Sequence, residues 1–136
     1  MSKPLIHAQT SAAKHGGKPE DYMDIHEFMD SSKAAFPDSR HRALTHNTWF
    51  IQTILKRVFG STRTNSDGQL YSVTDIGEEH VMEDYKGRFI PSVQDFLMEM
   101  EVQDWMKNGS GVPESAKKVK ESPSRGFINP ESIKFD

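Results

Sequence analysis

Six histidines, at positions 7, 15, 26, 41, 46 and 80, carry the most chemistry in this chain. Zinc and other first-row divalent ions take imidazole together with carboxylate, and a ligating histidine needs an acceptor for its second nitrogen. Three histidines have a carboxylate at helical spacing. His26 and Asp30 are four residues apart, as are His80 and Asp84, while Asp38 and His41 are three apart. Residues so spaced share a helix face. Glu79 and Glu83 lie on the strip adjoining His80. The pattern points to a divalent-metal site between helices, with zinc or manganese as the ion. His41 and His80 are its first candidates, with His7, His26 and Asp84 as further ligands. Glu79 is the candidate base, acting on a metal-bound water whose pKa zinc lowers towards about 7. Metal-assisted hydrolysis, for instance of a phosphoester, is then the accessible chemistry.

Plainer readings compete with this one. A histidine and a carboxylate four apart on an exposed helix make only a weak surface contact. A histidine near an apolar stripe, as His41 is near Leu44, Thr48 and Ile51, serves equally as a hydrogen-bonded core residue. On one straight helix His46 would lie about 140° round from His41, at about 100° per residue, so the two could not share an ion unaided. His15, beside Gly16-Gly17, is expected at the surface. The block Asp38–Asn47, with Arg40, His41, Arg42 and His46, could bind an anion at a helix start, or its arginines could pair with acidic helices elsewhere. Several signatures are absent: H-E-x-x-H, E-x-x-H, an adjacent His-Asp, a Gly-rich phosphate loop and G-x-S-x-G.

The elements that must position these groups are short. The chain has 136 residues, 35% hydrophobic and 27% charged, with net charge −3 and no cysteine, so thiolate metal sites and disulfides are excluded. No apolar run approaches the roughly 20 residues that span a bilayer, and no signal-peptide core is present, which implies a cytoplasmic protein. Residues 1–106 carry eleven basic and sixteen acidic side chains, net −5, a poor general partner for a phosphate backbone. The remaining stretch is net +2.

Pro4 opens a first helix that Gly16-Gly17 ends. Tyr22, Ile25, Phe28 and Met29 give the next one an apolar face. A long helix is expected from Asp38 to Phe59, with Leu44, Thr48, Ile51, Leu55 and Val58 as its buried stripe and Gly60 as its cap. Thr62–Asn65 and Gln69–Val73 form a hairpin around Ser66-Asp67-Gly68. Thr74 caps a helix reaching Lys86. Ser92 and Asp95 start a last helix, whose inner stripe is Val93, Phe96, Leu97 and Met100. Its second stripe, Met98, Val102 and Trp105, suits the C-terminal tail, a protein partner or a homodimer. Trp49 and Trp105 are both expected to be at least half buried. Residues 1–107 form the body. Residues 108–136 have no helical period and read as a flexible or loosely docked extension, with Val112, Val119, Phe127, Ile128, Ile133 and Phe135 as its apolar points.

The blocks His7-Ala8, Ser11-Ala12, Ile25-His26, Asp38-Ser39-Arg40-His41-Arg42-Ala43-Leu44, His46-Asn47, Asn65-Ser66-Asp67-Gly68 and Ile76-Gly77-Glu78-Glu79-His80-Val81 occur in this order. The series, over about residues 5–97, resembles a family of small uncharacterised bacterial and bacteriophage proteins. The resemblance implies that His7, His26, His41, His46 and His80 belong to one shared pattern, and it brings His46 into the candidate ligand set. It implies no activity. The expected fold is mainly α, a compact bundle of four or five helices with one short β-hairpin. Beside the metal reading stands a non-enzymatic one: an interaction protein, such as a phage-encoded modulator of a host protein, whose histidines order a polar core.

Overall fold

Pro4 occupies the first turn of α1 (Pro4–His15), where its missing N–H leaves nothing unpaired. The structure, a computed structural model, describes residues 3–120. Gly16 and Gly17 end α1 in the positive-φ region. At Gly17 no side chain fits either, because a Cβ there would stand 2.4 Å from Asp21 Oδ2 and 2.8 Å from the Cβ of Asn65. After a 3-10 turn at Pro19–Asp21, α2 (Met23–Met29) buries Ile25, His26 and Met29. Asp30 is the residue that closes it.

The expected long helix is broken. A 3-10 turn (Ser39–His41) leads into α3 (Arg42–Thr45), the helical path stops at His46–Asn47, and a π-helical segment (Phe50–Leu55) runs on into α4 (Lys56–Phe59). Asn47 causes the break. Its Nδ2 donates to the Ala43 carbonyl at 2.9 Å, and its Oδ1 accepts the Phe50 N–H at 2.7 Å. One side chain thereby satisfies the end of one helix and the start of the next. The expected stripe changes accordingly: Ile51 and Leu55 are buried with Phe50, whereas Leu44, Thr48 and Val58 face solvent. Trp49 is 53% exposed, against expectation, while Trp105, at 39%, meets it.

Antiparallel β1 (Thr62–Thr64) and β2 (Leu70–Ser72) form the expected hairpin, with Thr62 opposite Ser72 and Thr64 opposite Leu70. Buried Asn65 organises it. Its Oδ1 accepts from the Asp67 and Gln69 amides, and its Nδ2 donates to the His15 carbonyl and Tyr22 hydroxyl. Helix α5 (Val73–Asp84) starts after Ser72 rather than at Thr74 and ends two residues before Lys86. It runs antiparallel to α1, since His7 meets Glu83 and His15 meets Glu79. Gly77 brings α5 onto the π-helical segment, where a Cβ would meet the Leu55 Cδ2 at 2.5 Å. Ser92 and Asp95 make the expected reciprocal cap, but α6 stops at Leu97 (Val93–Leu97). Met98 and Val102 are largely exposed, and Trp105 lies in a separate helix, so the two stripes do not belong to one element.

The chain divides into two units, Met1–Glu99 and Met100–Asp136. The second contains α7 (Asp104–Asn108), closed by left-handed Gly109, and α8 (Glu114–Lys120), a helix in a stretch whose sequence showed no helical period. Phe127, Ile128, Ile133 and Phe135 lie outside the described residues. The fold is mainly helical with one two-stranded hairpin, as expected. No helix among the described residues is long and apolar enough to cross a membrane. Among these residues, Pro91 aside, eleven buried side chains are apolar and eleven are polar or charged. Half the interior therefore has to find its hydrogen bonds inside the protein.

Candidate metal centre

Five of the six histidines, all but His15, are essentially inaccessible to solvent. His7 comes from α1, His26 from α2, His41 from the turn before α3, His46 from the break after it and His80 from α5. Because Asp30 follows the last turn of α2, its carboxylate turns away from His26 and towards α5. Its Oδ1 accepts from His80 Nε2 at 3.1 Å and lies 3.6 Å from His46 Nε2. Asp84, at the end of α5, accepts from His46 Nε2 at 2.9 Å through Oδ2, which is 3.6 Å from His80 Nε2. Asp30, His46, His80 and Asp84 thus each offer one ligand atom, all within 4.8 Å of one another. The break at Asn47 is what admits His46 to this group.

A second group, His7, His26 and His80, also meets that spacing. Its rings are stacked: His7 on His80 at 3.8 Å with planes 27° apart, and His26 beside His80 at 5.1 Å with planes 22° apart. A nitrogen lone pair lies in its ring plane, so His7, flat on His80, aims its own past those of His80, while His26 Nδ1 is already engaged with His80 Nδ1 at 2.9 Å. His46 and His80 stand at 73° and converge. The Asp–His–His–Asp group is the better cation cradle.

Charge supports it. Burial would raise the Asp84 carboxyl, but hydrogen bonds from His46 and His7 outweigh burial and hold it far below the usual carboxylate range. For Asp30 the same contest, with His80 as donor, also ends below the ordinary value. Both are ionised at neutral pH. Burial lowers His80, and burial with the neighbouring His80 and His7 lowers His26 to about 3. His7 goes the other way: burial lowers it, but Asp84 and Glu83 together raise it. The second oxygens are held more loosely: Lys33 Nζ lies 3.7 Å from Asp30 Oδ2, and His7 Nε2 lies 3.4 Å from Asp84 Oδ1.

The other expected ligands are placed differently. His41 Nδ1 bonds Ser32 Oγ at 2.7 Å, in a small network with Thr45, outside both groups. His7 bonds Glu83 through Nδ1 and faces Asp84 Oδ1 across 3.4 Å through Nε2. His26 lies between Ser11 and His80. Glu79 holds His15 Nε2 at 2.9 Å and Lys14 Nζ at 3.3 Å in a groove over α1 and α5, which leaves His15 partly covered rather than exposed. Asp30 belongs to the group although the sequence showed it only as a neighbour of His26. In the Asp38–Asn47 block, Arg40 pairs with Asp38 and Arg42 lies over the ring of Tyr85, 5.0 Å from its centre, so among the described residues neither makes an ion pair with an acidic helix.

The chain matches, over residues 2–106, the model of a family described as a domain of unknown function, DUF6915. No curated protein and no solved structure matches it.

Proposed function

Given that the chain belongs to the DUF6915 family, we propose that Asp30, His46, His80 and Asp84 form a divalent-metal site, with zinc as the preferred ion. One observation carries the reading. Tetrahedral zinc with bonds of about 2.0–2.1 Å has ligand–ligand edges of roughly 3.3–3.4 Å. The four His–Asp edges here measure 2.9, 3.1, 3.6 and 3.6 Å. Two ionised carboxylates also balance the charge of one such ion inside a buried site. Manganese, which suits more oxygen and water ligands, fits less well.

Four buried protein ligands make a closed set, the arrangement of an ion that ties elements together, whereas a catalytic zinc keeps an open position. The ion would join the end of α2, the break after α3 and the last two turns of α5. Phosphoester hydrolysis with Glu79 as base ranks second, because His15 and Lys14 already take that carboxylate. The competing account is a hydrogen-bonded polar core without an ion, favoured by the ordinary hydrogen-bond lengths from His46 to Asp84 and His80 to Asp30.

Elemental analysis of protein purified without a histidine tag, followed by calorimetric titration with Zn²⁺, separates the two. Near one equivalent is expected, falling below about a tenth in His80→Ala. A wild-type protein that takes up less than a tenth, before and after titration, would remove the metal reading.

A further inference from the structure

His26 Nδ1 and His80 Nδ1 lie 2.9 Å apart in the interior. Two ring nitrogens at that distance share one hydrogen: two would clash and none would leave lone pairs opposed. The contact belongs to a longer chain, because His26 Nε2 is 2.8 Å from Ser11 Oγ and His80 Nε2 is 3.1 Å from Asp30 Oδ1. A neutral imidazole carries one N–H, donating from one nitrogen and accepting at the other. The chain Ser11–His26–His80–Asp30 therefore has only two senses.

In the first, Ser11 donates to His26 Nε2, His26 Nδ1–H donates to His80 Nδ1, and His80 Nε2–H donates to Asp30. Every atom is satisfied, and no lone pair faces the carboxylates. In the second, His80 Nδ1–H donates to His26 Nδ1, His26 Nε2–H donates to Ser11 Oγ, and His80 Nε2 is bare. Only the second presents a ligand to a cation.

Resting on the metal reading above, we propose that His26 is the positioning residue for His80, and that ion binding reverses the chain, switching both rings to the opposite tautomer. The protons balance. His80 exchanges Nε2–H for Nδ1–H, His26 exchanges Nδ1–H for Nε2–H, and Ser11 keeps its proton but rotates it out of the chain. Neither ring changes charge and neither releases a proton. His26 is thus the acceptor that a ligating histidine needs on its second nitrogen, a role for which a carboxylate or carbonyl is more usual. Ser11, one turn along α1 from His7, fixes the far end.

Two-bond ¹H–¹⁵N spectra of the labelled wild-type protein read each tautomer directly. Without metal, His80 should be the Nε2–H form and His26 the Nδ1–H form. One equivalent of Zn²⁺ should reverse both. A His26 tautomer unchanged on zinc loading overturns the proposal. In titrations, His26→Leu should weaken zinc binding about 10- to 100-fold, and His26→Asn, whose amide oxygen can accept from His80 Nδ1–H, should recover most of the loss. Equal zinc affinity in wild type and His26→Leu would make His26 a core residue only, with the metal site intact. No zinc uptake by the wild type itself would overturn this proposal together with the reading beneath it.

Discussion

Asp84 works with both carboxylate oxygens, Oδ2 towards His46 and His80 and Oδ1 towards His7. Asp30 instead sends Oδ1 to both His46 and His80. The two carboxylates are therefore not equivalent. Asp30→Asn should abolish zinc binding while leaving the His7 contact undisturbed. Asp84→Asn should abolish it too, and should also lower stability by about 3–5 kcal/mol, the usual cost of breaking a buried charge pair. Calorimetric titration and urea unfolding of both variants check this, and equal stability losses would contradict it. At this scale the sequence was partly readable. Both H-x-x-x-D spacings were visible, and His80 and Asp84 do fall in one group of converging side chains. His26–Asp30 does not, since α2 ends at Met29 and Asp30 then reaches a histidine fifty residues further on. Nothing local in the sequence encodes that partner.

Among the elements, the interruption between α3 and the π-helical segment decides the geometry of the centre. The apolar period through Leu44, Ile51 and Leu55 suggested one continuous helix, on which His41 and His46 could not share an ion; the structure groups His46 with Asp30, His80 and Asp84 and leaves His41 outside. The missed signal was Asn47, a good helix-starting residue hidden inside the period. Asn47→Ala removes that cap and the bond to Ala43 together. A loss of about 1–2 kcal/mol is expected for the cap, along with weaker zinc binding as His46 moves. If urea unfolding shows the loss but zinc titration does not change, the break does not hold His46 in place. Gly77→Ala tests the other contact of this segment. The added methyl meets Leu55 and Ile51, and overpacking of about 1–3 kcal/mol should exceed the gain of about 1 kcal/mol in helix propensity. A lower melting temperature is the expected result.

For the molecule as a whole, composition and periodicity foretold a mainly helical chain with one hairpin, because Gly, Pro and Asn punctuate it sharply. They did not foretell how much of the interior is polar, since a histidine reads the same whether it is exposed or buried. Removing residues 108–136 should leave a folded body with nearly the same melting temperature and the same zinc stoichiometry, as every proposed ligand lies between residues 30 and 84. Unfolding or aggregation of the truncated protein would make the extension part of the core.

The antiparallel pairing of α1 with α5 also has a consequence in time. His7 waits for a partner 76 residues downstream, and His26 for one 54 residues downstream. At ribosomal rates of about 5–20 residues per second, the first of these gaps lasts roughly 4–15 s. Until α5 emerges, a nascent chain offers zinc only Asp30 and His46 from the four-residue group. Ion loading at the proposed site would then be tied to completion of the body, and a chain halted before His80 is expected to leave the ribosome empty of metal.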